Sequence, residues 1–383
     1  MNFVSLFWSD YWPYFDFSDI GQDYPVSSFS VEHSLDGLST ATITIPYGGS
    51  TRPDIILEDF INKKIGISIG KGNYYPIFNG IITDSNKSQD SMQINAKSYL
   101  YLFQKIFNPA LAFTPVDPEE DGNVLLDTAI NELISGSLQT QGISDMVAYH
   151  ITGSIADIYI PPSEHFPNTD NYSVLKNLAD MGNCMVFEKL INGQPTIIIC
   201  PFTEITNTPG TQELNISGLF YERTKSYSGD NVINALIINV SDKWEVLYPY
   251  TEPPHLAPDI MRVKSTDTPT GILSEINTHL NGKYQSGIAV YPAQPRKKVN
   301  GQYQDISMEE LGNKILYSQM INFTSATYKM PGIPRKGDGS KIIGMPGDKF
   351  TSEAGTGMVN KVIYEFNDQM LWQTYEIIPR VGW

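Results

Sequence analysis

The sequence predicts an α+β protein, predominantly β, with two similar small tube-like β-barrels, an inserted α+β domain and a second, loop-rich insertion. Three observations point there. Two distant stretches run the same programme of strand, glycine, strand, polar turn and returning strand. The 25 prolines, 30 glycines and 22 tyrosines favour turns and strands over a helical bundle. Between them lie two segments of helical period, set in an irregular, proline-rich context.

The first copy of the repeat runs from Ile65–Ile69 through Tyr75 and Phe78 to Gly80, then Ile81–Asp84, the turn 85–90, and a strand carrying Met92, Ile94 and Ala96. In the second copy Gly347 and Asp348 open Lys349–Thr351, and Gly357 precedes a strand with Met358, Val362, Tyr364 and Phe366. Asn367 and Asp368 then turn the chain into Trp372–Pro379. Residues 1–107 read as the first barrel, with strands at Ser28–His33 and Thr40–Pro46 and a short helix at Tyr99–Phe107 that plugs one end.

Residues 108–210 read as the inserted domain. A helix is expected near Val124–Ser135, with Leu125, Ala129 and Leu133 on one face and Asp121 as its cap. A second is expected at Tyr172–Met181, burying Val174, Leu175, Leu178 and Ala179 and stopped by Gly182 and Asn183. Asn192-Gly193 between two apolar runs predicts a type I′ hairpin, with Ile191 opposite Gln194 and Leu190 opposite Pro195, because both central residues of that turn need positive φ. Residues 211–247 and 318–383 are assigned to the second barrel, including strands at Leu219–Tyr227 and Val232–Val240. Residues 248–317 are the second insertion, with a short helix at Pro269–Leu280 and another at Ser307–Met320 opened by a Ser307–Glu310 capping box.

A formal charge of -16 argues against a protein that grips nucleic acid, since that affinity rests on neutralising phosphates with Lys and Arg. An acidic surface suits a conduit through which a polyanion slides, and equally suits plain solubility. The aromatic segment 1–17 lacks the basic region of an export signal, and no apolar run approaches the ~20 residues that span a bilayer, so assembly in a cytoplasm is expected. Its Phe7, Trp8, Tyr11, Trp12, Tyr14, Phe15 and Phe17 admit two readings, a protein–protein anchor or an ordinary edge strand.

The search for chemistry yields no catalytic, cofactor-binding or metal-binding residues. Gly332–Gly337 has phosphate-loop spacing, but Asp338 stands where Lys is required. Asp117, Glu119, Asp121 and Gly122 imitate the first half of a calcium loop, yet Thr128 occupies the position of its last carboxylate. The histidines at 33, 150, 165, 255 and 279 never recur at metal-pair spacing. Cys184 and Cys200 lie near each other across the predicted hairpin and are expected as reduced, buried thiols. Glu309-Glu310 and Glu119-Glu120 sit where solvated helix ends carry acids, without a neighbouring His, Ser or Arg.

The order of barrel, inserted α+β unit and second barrel resembles the baseplate hub proteins of tailed phages, including the hub portion of type VI secretion spike proteins. The passages carrying the resemblance are Asn171–Gly182 followed by Cys184–Glu188, Gly344-Met345-Pro346-Gly347-Asp348-Lys349-Phe350, and Phe78-Asn79-Gly80-Ile81-Ile82-Thr83-Asp84. The resemblance implies a non-enzymatic virion tail protein without cofactors. Its homotrimer, with two barrels per copy, would join a hexameric tail tube protein to a trimeric central spike protein, contact other baseplate proteins, and let genomic DNA pass without specific binding. Two alternatives stay open: the N-terminal hub part of a long-tailed phage's tip protein, and a virion carbohydrate-binding or cell-wall-degrading protein.

Overall fold

Burial follows a period of two along the strands: Thr40–Pro46 buries Ala41, Ile43 and Ile45, and Ser91–Ser98 buries Met92, Ile94 and Ala96. The computed structural model describes residues 12–16, 26–35, 37–46, 61–71, 73–88, 90–107, 113–115, 122–160, 169–215, 222–227, 235–240, 243–249, 260–264, 286–291, 295–307, 310–312, 324–331, 343–352, 355–367 and 370–379. It is predominantly β. The largest sheet has 12 strands, in the order Trp12–Asp16, Lys64–Lys71, Asn73–Lys87, Ser91–Ser98, Thr40–Pro46, Ser28–Ser34, Gly355–Asn367, Met370–Pro379, Thr324–Pro331 and Glu222–Tyr227. Lys349–Ser352 branches off Gly355–Asn367 and pairs in turn with Glu213–Asn215.

The two repeat stretches occupy opposite halves of this sheet and match pair by pair. Lys64 lies opposite Ile81 as Lys349 lies opposite Met358, and Gly80 opposite Ser98 as Gly357 lies opposite Pro379. Both long strands then carry a bulge, after Ile82 in one and after Val359 in the other. Asn62 and Gly347, both with positive φ, donate their N–H groups to Ile82 and Val359, which donate back to Lys63 and Asp348. Thr40–Pro46 corresponds to Thr324–Pro331, since Ala41 faces Ala96 where Ala326 faces Ile377, and each strand ends in proline.

The paired glycines share one cause. A Cβ on Gly80 would stand 2.2 Å from the carbonyl oxygen of Lys97, and one on Gly357 would stand 2.5 Å from that of Ile378, the equivalent residue. The strands cross so closely here that only glycine fits.

Ser28–Ser34 joins the halves, pairing with Thr40–Pro46 along one edge and Gly355–Asn367 along the other. Phe29 stacks on Phe366 at 5.8 Å, and one hydrophobic core runs beneath both halves. Two separate barrels were expected; among the described residues the sheet instead runs as an open path and does not close. The repeat is also imperfect, because Trp12–Asp16 lies antiparallel to Lys64–Lys71 whereas Glu213–Asn215 lies parallel to Lys349–Ser352.

In the inserted unit, Asn192 and Gly193 have φ of 51° and 84°, and the hairpin has the register expected from them, from Ile191 opposite Gln194 to Cys184 opposite Pro201. The second helix spans Asn171–Met181, capped by the Asp170 carboxylate on the Ser173 N–H, and buries the four expected residues. The first helix begins later than expected, at Leu126, because Val124 and Leu125 pair as a strand with Ile160 and Tyr159. It continues to Thr140, burying Leu138, and the chain turns at Gly142 with positive φ. The 3-10 helix Tyr99–Lys105 plugs no barrel: Tyr99, Leu100 and Phe103 pack into the core of the inserted unit.

The assignment of 211–247 to the second barrel needs correction. Glu222–Tyr227 belongs to the large sheet, but Ala235–Val240 pairs with Lys243–Pro249 and Ser286–Tyr291 in a separate sheet that also holds Ile260–Lys264. Its Leu236 and Ile238 are buried against the inserted unit's core, so packing across the chain decides its partner. The insertion 248–317 therefore contains strands as well as loops. Arg296–Val299 and Gln302–Asp305 form a hairpin around Asn300 and Gly301, with φ of 52° and 83°, that pairs with Ile158–Ile160. The Ser307 hydroxyl accepts the Glu310 N–H as the capping box requires, and Leu311 is buried. The helix expected at 269–280 lies outside the described residues.

Gly80→Ala and Gly357→Ala should each cost about 1–3 kcal/mol in denaturant unfolding, as overpacking against backbone does. Gly136→Ala, where a Cβ meets nothing within 4 Å, should be neutral or stabilising.

Candidate functional site

The strand Cys184–Ile191 reads Cys-Met-Val-Phe-Glu-Lys-Leu-Ile, and its adjacent charges, Glu188 and Lys189, are 5% and 1% exposed. Adjacent strand residues point to opposite faces, so the pair reaches in two directions. Lys189 Nζ lies 2.7 Å from Asp348 Oδ1 and 3.4 Å from Thr211 Oγ1. Asp348 is fully buried; its Oδ1 also accepts the Gln212 N–H at 3.0 Å, and its Oδ2 the Met345 N–H at 2.8 Å. Burial pushes the Asp348 carboxyl upward, against the pull of Lys189 and these donors.

Asp348 sits at the end of a turn that admits little change. Gly347 has φ +85° and a Cβ there would stand 2.7 Å from Ile205 Cγ2. The Tyr364 hydroxyl donates to the Gly344 carbonyl and Tyr375 to Gln373 Oε1. Burial raises both phenols, so they act as neutral donors.

On the other face, Glu188 Oε2 accepts the Leu100 N–H at 3.0 Å, with the Ser98 hydroxyl and Tyr99 N–H beside it. Ser98 precedes the 3-10 helix but makes no cap of its own, so a distant carboxyl supplies it. Burial pushes Glu188 up to about 8, overriding the backbone hydrogen bonds that favour its ionised form, Leu100 foremost. One strand of the inserted unit thus holds the 3-10 helix that leaves Ser91–Ser98 in the first half and the turn entering Lys349–Ser352 in the second. Each charge is engaged by a buried partner, an arrangement that positions backbone and presents nothing reactive to solvent.

His33 lies between the halves of the sheet. A carbonyl can only accept, so Nε2 carries the proton to Ile77 O at 2.7 Å and Nδ1 accepts from the Ser39 hydroxyl at 2.8 Å. Burial lowers its pKa to about 4. Cys200 lies opposite Met185 and Cys184 opposite Pro201, so the two thiols take opposite faces and enter different clusters, and neither is in a disulfide. Thr128, which stands in place of a calcium ligand, is inside the first helix. Asp117, Glu119, Asp121, the segment 332–338 and the histidines at 165, 255 and 279 lie outside the described residues. Among the described residues no three His, Cys, Asp or Glu side chains converge to hold a metal, and no helix is long and apolar enough to cross a membrane. Trp12–Asp16 is the outer strand beside Lys64–Lys71, and the rest of the aromatic segment lies outside the description.

Sequence reading missed Glu188, Lys189 and Asp348 as a group. The signal available was a Glu-Lys pair inside an otherwise apolar run.

The fold is similar to that of solved phage tail proteins. A tail protein from Neisseria meningitidis MC58 aligns with a TM-score of 0.56 at 11% identity over 93% of this chain and 92% of its own. The 43 kDa tail protein of prophage MuSo2 from Shewanella oneidensis gives 0.55 at 11% identity, over 97% and 98%. An E. coli component of the type VI secretion system, described as structurally similar to the T4 tail proteins gp27 and gp5, gives 0.53 at 9% identity, over 97% of this chain and 77% of that one. No family model and no curated protein sequence matches the chain.

Lys189→Met, which strands the Asp348 charge in the interior, should cost about 3–5 kcal/mol in denaturant unfolding. For Glu188, a folded pKa of about 8 against an ordinary 4.5 means the native state keeps a proton that the unfolded chain has lost. Its contribution is therefore most favourable below pH 4.5 and declines as pH rises towards 8, by at most roughly 5 kcal/mol. His33 acts oppositely: with a pKa lowered from 6.5 to about 4, its contribution is full above 6.5 and lost as pH falls towards 4. Unfolding free energies at a series of pH values should show Glu188→Gln removing the decline between pH 4.5 and 8 and leaving the loss below pH 4.5 unchanged.

Proposed function

We propose that the chain is a structural baseplate or tail hub. Three copies form a ring in which two look-alike β modules per copy create pseudo-sixfold geometry, joining a hexameric tail tube to a trimeric central spike. The observation that carries this reading is the pair-by-pair duplication of 64–98 by 349–379. A ring between sixfold and threefold neighbours must offer six similar surfaces and three identical ones, and a trimer of duplicated chains does both. The likeness to the tail proteins and to the type VI component supports it.

In this reading each half of the sheet curls into a barrel-like module when the ring closes. The inserted unit and residues 248–317 face outward to other baseplate proteins. DNA crosses the lumen without specific contact, in keeping with the net charge of -16. The protein works without a cofactor or catalytic residue, in the virion tail, after assembly in the host cytoplasm.

Light scattering of the purified chain, alone and mixed with the tube and spike proteins of the same virion, tests this. A trimer that binds both partners is expected. A monomer in every mixture would overturn the reading, and reproducible cleavage of host cell-wall polysaccharide would overturn its non-enzymatic part.

A further inference from the structure

Asn79, Asn192, Asn281 and Asn300 each precede a glycine, and all but the pair at Asn281 lie among the described residues. An asparagine in this position can condense with its own backbone, because the glycine that follows has no Cβ to obstruct closure of the ring. Closure needs the Asn Cγ brought onto the glycine nitrogen. Neither an extended strand nor a formed type I′ turn holds the chain in that conformation, so the rate at each pair follows how readily its backbone opens.

The fold restrains the three pairs unequally. Asn79 lies inside the strand Asn73–Lys87, opposite Gly66, and Gly80 is closed in against the Lys97 carbonyl. Asn192 sits at a hairpin tip, but its strands run eight residues on either side, and a Cβ on Gly193 would stand 3.1 Å from Pro76 Cγ. Asn79 Nδ2 also donates to the Gly193 carbonyl at 3.0 Å. That one hydrogen bond steadies both pairs, since Nδ2 is the group Asn79 itself would have to release. Around the Asn300-Gly301 turn the strands run only four residues each, and a Cβ on Gly301 would meet nothing within 4 Å. Asn300, Gly301 and Gln302 are exposed, and among the described residues Gln302–Asp305 is the outer strand of its sheet. The ladder ends at Val299 opposite Gln302, which leaves the Gly301 nitrogen outside it.

We propose that Asn300 is a site of spontaneous deamidation in the folded chain. The Gly301 backbone nitrogen gives up its proton and bonds to Asn300 Cγ; the Cγ–Nδ2 bond breaks, and ammonia leaves a succinimide ring. Water opens the ring at one carbonyl or the other, to isoaspartate or aspartate, so one water is taken up for one ammonia lost. Both products place a carboxylate at the tip. Isoaspartate also routes the main chain through Cβ, which the turn's φ values of 52° and 83° do not accommodate. The hairpin pairs Arg296 with Tyr159 and Lys297 with Ile158, and Arg296 reaches Asn123, so its distortion loosens residues 296–305 from the inserted unit.

Peptide mapping by mass spectrometry tests this on the folded chain, held at mildly alkaline pH in water enriched in heavy oxygen. Label should accumulate at Asn300 on the order of tenfold faster than at Asn192 or Asn79, divided between aspartate and isoaspartate. The residues before the three pairs, Val299, Ile191 and Phe78, are all large and apolar, so neighbouring side chains do not set the order. In denaturant the three rates should therefore draw together. Equal rates at Asn300 and Asn192 in the folded chain would overturn the assignment, and a ranking that survives unfolding would overturn its structural cause. Neither result depends on what the chain assembles with.

Discussion

The structure depends on one strand shared by two sheets' worth of pairing. Ser28–Ser34 hydrogen-bonds to the first half on one side and to the second on the other, and its alternate residues Phe29 and Val31 sit in the common core. Without it, each half would have an unpaired edge and an incomplete core. With it, the duplicated units are held in a fixed relation.

The inserted unit adds a second constraint. Glu188 and Lys189, neighbours on one strand, fasten the exit of the first half and the entrance of the second. The Lys189–Asp348 ion pair adds little net stability over an apolar replacement, but leaving either charge unpartnered is costly. They therefore tie the inserted unit to one seating on the sheet. The equivalent of Asp348 in the first half is Lys63, so the fastening breaks the symmetry of the repeat and distinguishes the two modules within each copy.

Much of this was legible locally. Period-two burial placed the strands, the Asn192-Gly193 turn set its hairpin's register, and the glycines at 80 and 357 marked the repeat, because each reports a backbone requirement within a few residues. The Asn300-Gly301 hairpin carried the same signal and went unread. Partner choice was not legible. Nothing in the alternation of Ala235–Val240 says which sheet it joins, and Lys189 meets a carboxylate 159 residues away. The double pairing of Ser28–Ser34, which turns two expected barrels into one open sheet, is likewise a property of the whole chain.

The most direct test of the central claim is an electron-microscopy reconstruction of the assembled ring at a resolution that shows strand register. The account predicts a threefold ring in which each copy supplies two look-alike β modules, six around one pore, with Ser28–Ser34 paired to Gly355–Asn367 in every copy. A chain that forms no threefold ring, or whose two modules do not line a common pore, would contradict it.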